Sequence, residues 1–106
     1  MMSTLDVINK LPAAFDREAA DGIAGTIQLN ISTPVHVTVA DGELRVTEGT
    51  ADDPDATLTS SDEDLLAILR GEADGVASFL AGKLQVEGDL QLAKEFPGLL
   101  DPAALA

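Results

Sequence analysis

The chain has 106 residues, of which 19 are acidic and 6 basic, for a formal net charge of -13; 45% of it is apolar and only 3% aromatic. One domain of this length can bury roughly two-thirds of the surface its unfolded chain exposes, so a core is within reach, built from aliphatic side chains and three Phe. The lack of Cys excludes a disulfide framework and thiolate metal sites, and Lys10, Arg17, Arg45, Arg70, Lys83 and Lys94 are too scattered to form the basic face that nucleic acid or an anionic membrane demands.

The first 22 residues predict helix. Ser3 or Thr4 caps a turn carrying Asp6, and Leu5, Ile8 and Leu11 recur at helical spacing. Pro12 restarts the helix at its first position, where its missing N–H is no loss. Phe15 and Ala19 then form the inner stripe, and Gly22 ends the segment. From Ile23 to Ser60 the period becomes two: Ile27, Leu29 and Ile31 alternate with Gln28, Asn30 and Ser32, and Val35, Val37 and Val39 with His36 and Thr38. Asp41-Gly42 is a tight-turn signal that folds this strand back on residues 44–47 as a hairpin. Asp52-Asp53-Pro54-Asp55 is a polar turn into a short strand over 56–59.

Ser61 followed by Asp64 is a variant capping box, and Asp62, Glu63 and Asp64 place negative charge at the positive end of the helix dipole. Leu65, Ile68 and Leu69 make the buried stripe of that helix, and Gly71 stops it. Asp74 caps a further helix with Val76, Phe79 and Leu80 on its inner face, ending at Gly82. Leu84 and Val86 alternate with Lys83, Gln85 and Glu87 in a last strand. Gly88-Asp89 then turns into a helical stretch with Leu92 and Phe96 on one face, broken by Pro97-Gly98. No run approaches the length of a membrane span and no basic leader precedes an apolar stretch, so a cytoplasmic protein without stable membrane insertion is expected. Residues 1–106 read as a single domain.

The sequence offers no catalytic residue. His36, the one His, falls on the strand face opposite Val35, Val37 and Val39 and is expected to be solvated, with no partner to fix its tautomer for base work. No G-x-S-x-G or phosphate-cradling glycine loop is present. The acidic runs at 52–55 and 62–64 lack the glycine and glutamate spacing of a calcium loop, and a turn and a helix cap account for them. No cofactor and no metal site are expected.

From Asp55 to Ala93 the chain resembles the sterol carrier protein 2 family of lipid-binding domains. The match runs through Asp55-Ala56-Thr57-Leu58-Thr59, Ser61-Asp62-Glu63-Asp64-Leu65-Leu66 and Gly71. It is most specific over Phe79-Leu80-Ala81-Gly82-Lys83-Leu84-Gln85-Val86-Glu87-Gly88-Asp89, where a helix stop, a strand and a second glycine turn fall at fixed offsets. Leu92-Ala93 completes it. The resemblance implies an α+β domain: a five-stranded, mainly antiparallel sheet, covered on one face by short helices, that encloses a hydrophobic tunnel. It also implies noncatalytic binding of fatty acid, fatty acyl-CoA or a related lipid, in a small stand-alone bacterial or archaeal member of the family.

Two departures from the family pattern matter. Larger members carry aromatics in the strand region where this chain has Val37 and Val39, which favours a flexible acyl chain over a rigid sterol. Ala104-Leu105-Ala106 does not match the peroxisomal tripeptide of eukaryotic members. The ligand-binding residues implied are Ile27, Leu29, Val37 and Val39 from the sheet, Val76, and Phe79, Leu80, Leu92, Phe96, Leu99 and Leu100 from a mobile wall. A ligand carboxylate would be met by Lys83 or Lys94 at the mouth. The alternative is a structural, dimerising or enzyme-docking module on the same fold, and both a monomer and a homodimer remain open.

Overall fold

Alternation of apolar and polar residues becomes, in the structure, two chemically distinct faces of one sheet. The computed structural model describes residues 4–105, so Ser3, one of the two expected caps, lies outside the described residues. In chain order the elements are α1 (Thr4–Ile8), α2 (Leu11–Ala14), β1 (Gly25–Asn30), β2 (Val35–Ala40), β3 (Glu43–Glu48), β4 (Ala56–Ser60), α3 (Asp62–Leu69), α4 (Gly75–Leu80), β5 (Leu84–Gly88), α5 (Leu90–Glu95), a 3-10 turn (Phe96–Leu99) and α6 (Pro102–Leu105). The five strands form one sheet in the order β3-β2-β1-β4-β5.

Register sets the faces. Val37 stands opposite both Ile27 and Val46, and Leu58 opposite both Leu29 and Val86, so these side chains share one face. The short helices pack on that face, and Val7, Ile8, Leu11, Ile27, Leu29, Val35 and Val37 form its dry centre. Among the described residues no helix is long and apolar enough to cross a membrane.

The Asp41-Gly42 hairpin forms as expected, with both residues at positive φ, the conformation that a two-residue connection between twisted strands needs. Alternation could not foresee that β4 runs parallel to β1. Because β3 is the sheet edge and β4 lies beyond β1, the connection over residues 49–55 has to cross the polar face. Gln28 makes that crossing dry. It is 1% exposed; its Oε1 accepts from Ala51 N at 2.8 Å and its Nε2 donates to Val35 O at 3.2 Å and Gly49 O at 3.4 Å. His36 lies on the outer face of the sheet as expected, partly covered by the same crossing; its Nδ1 lies 3.2 Å from Gly49 O.

The N-terminal segment departs most from its periodicity. Helix α2 stops at Ala14, because Phe15 is extended and pairs with Leu100. Asp16 N donates to Leu99 O at 2.7 Å, and Asp101 N to Ala14 O at 2.8 Å. The Asp16 carboxylate then accepts from Glu18 N and Ala19 N, which turns the chain and leaves Ala19 exposed and Ala20 buried. The expected stripe through Phe15 and Ala19 is overridden by pairing with the C-terminal segment, a long-range competitor that helical spacing does not report. That same pairing fixes the apolar C-terminus, where Leu105 is buried and its carbonyl accepts from Arg70 Nε at 3.0 Å.

Asp62 ties three elements together. Ser61 Oγ caps α3 by accepting from Asp64 N at 3.1 Å, while the Asp62 carboxylate accepts from Thr4 Oγ1 at 2.9 Å, Ser32 N at 2.8 Å and Ser32 Oγ at 2.5 Å. The Ser32 hydroxyl, then the Ser32 N–H, hold its carboxyl below the usual carboxylate value of 3.8; partial burial opposes them and Thr4 adds to them. A lowered folded value stabilises the fold above the unfolded value and is lost as pH falls through the folded one. Asp62→Asn is therefore expected to cost about 1 kcal/mol near neutral pH, discounted for solvent screening. Urea unfolding of both proteins checks this: the difference between them should shrink below about pH 4, and a difference that persists there would show that the carboxylate's charge is not its source.

Candidate functional site: an apolar cavity under β4 and β5

The helical layer does not fill the face of the sheet evenly. Ile27 and Leu29 of β1 and Val35 and Val37 of β2 are fully buried, whereas under β4 and β5 there is a cavity of about 310 Å³. This cavity is partly open to solvent, in place of the enclosed tunnel that the resemblance implies. Its floor is Leu58 of β4 with Leu84 and Val86 of β5. One wall is the α3 stripe Leu65, Ile68 and Leu69; another is Leu90, Ala93 and Phe96 with Pro97; the third is Gly75, Val76 and Phe79 of α4. Asp74 and Lys94 are the charged lining residues.

Helix α4 is the thin side of the box. It has six residues and begins at Asp74, whose Oδ1 accepts from Val76 N at 2.9 Å. Ser78 is its buried residue, with the Ser78 carbonyl accepting from Lys83 N at 2.9 Å. The inner face expected of Val76, Phe79 and Leu80 is thus corrected: Val76 and Phe79 look into the cavity while half exposed, and Leu80 is 78% exposed. Leu90 at the start of α5 is 60% exposed on the opposite rim. Val76, Phe79 and Leu80 have the spacing of one helix face, as Leu65, Ile68 and Leu69 do in α3, but in α4 that face borders the cavity and solvent instead of packed neighbours.

The β5 to α5 turn fixes the far rim. Gly88 has φ +84°, and the Asp89 carboxylate caps α5 by accepting from Leu92 N at 3.1 Å. Asp89 N donates to Asp55 O at 2.7 Å, and the Asp55 carboxylate accepts from Thr26 N at 2.8 Å. This is the physical content of the Gly88-Asp89 pair in the motif: it docks α5 on the β4 entry and so positions Leu90, Ala93 and Lys94.

Of the residues expected to bind ligand, the structure brings Val76, Phe79 and Phe96 together at the cavity. Ile27, Leu29, Val37, Val39, Leu92, Leu99 and Leu100 are buried outside the lining of this cavity. The lining residues that sequence patterns place in plain core or do not single out are Leu58, Leu65, Ile68, Leu69, Leu84, Val86, Leu90, Ala93 and Pro97. The burial of Leu58, Leu65, Ile68, Leu69 and Leu84 was legible from alternation and helical spacing. Their convergence was not, since it depends on β4 and β5 being neighbours at one end of the sheet. Among the described residues no group of three or more His, Cys, Asp or Glu is placed to hold a metal ion.

A mixed sheet with helices on one face, an apolar cavity and a rim of exposed apolar residues define a small α+β domain. The model of the SCP-2 sterol transfer family matches residues 6–101, and the chain belongs to that family. Solved structures agree on the fold. The stereoselective inverting sec-alkylsulfatase Pisa1 from Pseudomonas sp. superposes with a TM-score of 0.86 at 22% identity over 94% of this chain, which spans 16% of that protein's length. Palmitated SCP2L2 from Aedes aegypti is 30% identical with a TM-score of 0.67, over 92% of this chain and 93% of that one. Sterol carrier protein 2 from the same organism, in complex with the C16 fatty acid palmitate, gives a TM-score of 0.63 at 18% identity over 95% and 100%. None of the curated proteins matches the chain by sequence.

Proposed function

We propose that residues 1–106 act as one noncatalytic unit in the cytoplasm that binds and carries a flexible acyl chain in the cavity under β4 and β5. The observation that carries this reading is the cavity itself: about 310 Å³ with thirteen of its fifteen lining residues uncharged and apolar or glycine. That volume lies near the lower end of the roughly 300–1,000 Å³ typical of ligand pockets, which suits a single flexible chain better than a rigid polycycle. The palmitate-bound Aedes aegypti relatives support the same ligand class. Burying ten methylenes at roughly 0.8 kcal/mol each supplies about 8 kcal/mol, which sets an upper limit near 1 μM before ordering costs.

The test uses a property of the chain. It has no Trp and no Tyr, so Phe79→Trp carries the sole strong fluorophore, placed on the cavity wall. Titration with a C10 to C16 fatty acid should shift its emission to the blue and saturate, and organic extraction of the purified wild type should release lipid. Clean wild-type protein, together with an indole emission in Phe79→Trp that ignores fatty acid, would sink the reading. A concentration-dependent dimer that buries Leu80 and Leu90 without ligand would instead favour a docking or dimerising module, the reading to which the likeness to one part of a larger sulfatase lends support.

A further inference from the structure

We infer that Lys94 makes the cavity selective for single-chain ligands with an anionic headgroup, a conclusion that rests on the acyl-chain reading above. Lys83 and Lys94 both lie near α4 and α5 in sequence, and the structure separates them: Lys94 lines the cavity and Lys83 does not. Lys94 stands in the last turn of α5 between the wall residues Ala93 and Phe96 and is exposed, a position from which a lysine lays its stem on apolar surface and keeps its ammonium in water.

Three observations leave that charge available. Among the described residues Lys94 forms no ion pair, in a chain with 19 acidic side chains to offer. Its neighbour Glu95 is turned to the preceding helical turn, where Oε1 accepts from Gln91 Nε2 at 2.6 Å. The other charged lining residue, Asp74, uses Oδ1 to cap α4 and forms no ion pair with Lys94. An amphiphile whose chain fills the cavity has its headgroup at the rim, where this cation is the unpaired charge-bearing donor. A carboxylate and a sulfate both meet that description, and the chemistry shared is a single negative charge on one chain.

The experiment compares four C10 probes by displacement of a fluorescent fatty acid near neutral pH and low salt: decanoate, decyl sulfate, decanol and decyltrimethylammonium. Wild-type protein should bind the two anions about threefold to fivefold tighter than decanol, the size of a solvent-exposed ion pair, and the cation weakest. Added salt should erode the preference. Lys94→Gln should bring both anions to the affinity that decanol has for the same variant, and Lys94→Arg should keep the preference. The ratio of decanoate to decyl sulfate then tells which headgroup fits. Equal binding of decanol and decanoate by wild type, or a preference that survives in Lys94→Gln, overturns the inference and leaves the acyl-chain reading intact. Failure of all four probes to bind overturns the acyl-chain reading and this inference with it.

Discussion

Gly88→Ala is expected to lower stability by about 3 kcal/mol, the sum of a left-handed backbone for a residue with a Cβ and a backbone collision. The collision is the larger part. A Cβ on Gly88 would stand 2.4 Å from Asp55 O and 3.2 Å from Ala56 Cα, and these atoms are backbone, so neither can swing away. Relief requires β5 to part from β4 at the Ala56 to Gly88 pair, or the bond from Asp89 N to Asp55 O to break. For a domain of this size the loss corresponds to a melting temperature lower by about 15 °C. Gly98→Ala serves as the comparison: its Cβ would meet nothing within 4 Å and its φ is not in the left-handed region, so a melt close to wild type is expected. If both variants melt together, the close approach of the β5 turn to Asp55 is not a constraint on the fold.

The same turn shows how sequence and structure divide the information. The Gly88-Asp89 pair is readable as a turn into a helix, because that role is local and depends on residue type. What it presses against, Asp55, is far earlier in the chain and leads into β4, a strand whose parallel partner β1 no local signal identifies. Strand faces were legible for the same reason as the turn, since Val35, Val37 and Val39 alternate with His36 and Thr38 whatever the topology. Gln28 is the counterexample: alternation puts it on the polar face, where it does lie, yet the crossing connection at Gly49 and Ala51 buries it. Phe15 fails in the opposite way, with helical spacing intact and the residue taken by Leu100.

For the site, the residues of the cavity were readable as apolar but not as a cavity. Leu65, Ile68 and Leu69 carry the same stripe whether a neighbouring helix fills the space beneath them or leaves it empty. Only α4, with Ser78 buried and Phe79 46% exposed, reveals that the space is left. The resemblance around residues 79–89 supplied the expectation of an enclosed tunnel; the structure has a partly open apolar cavity at one end of the sheet.

Filling that space is expected to abolish binding without harming the fold. Ala93 is buried on the α5 wall, beside Phe96 and across from α3 and α4. In Ala93→Phe the added ring points into a void, so the usual penalty for enlarging a core residue, about 1–3 kcal/mol when it meets packed neighbours, falls away. Cavity filling removes unsatisfied apolar surface, and the melting temperature should hold or rise. The ring occupies the volume an acyl chain needs, and fatty-acid affinity should fall at least tenfold, equivalent to about 1.4 kcal/mol. Leu80→Ala is the matched comparison: Leu80 is apolar and exposed near the rim but outside the lining, and its loss should leave affinity within about twofold. Calorimetric titration of the three proteins separates the possibilities. Weaker binding in Ala93→Phe with an unchanged or higher melting temperature assigns the chain to this cavity. Unchanged affinity there, with loss in Leu80→Ala, would place the ligand on the exposed surface of α4 instead, and the void would be a defect of packing that the fold tolerates.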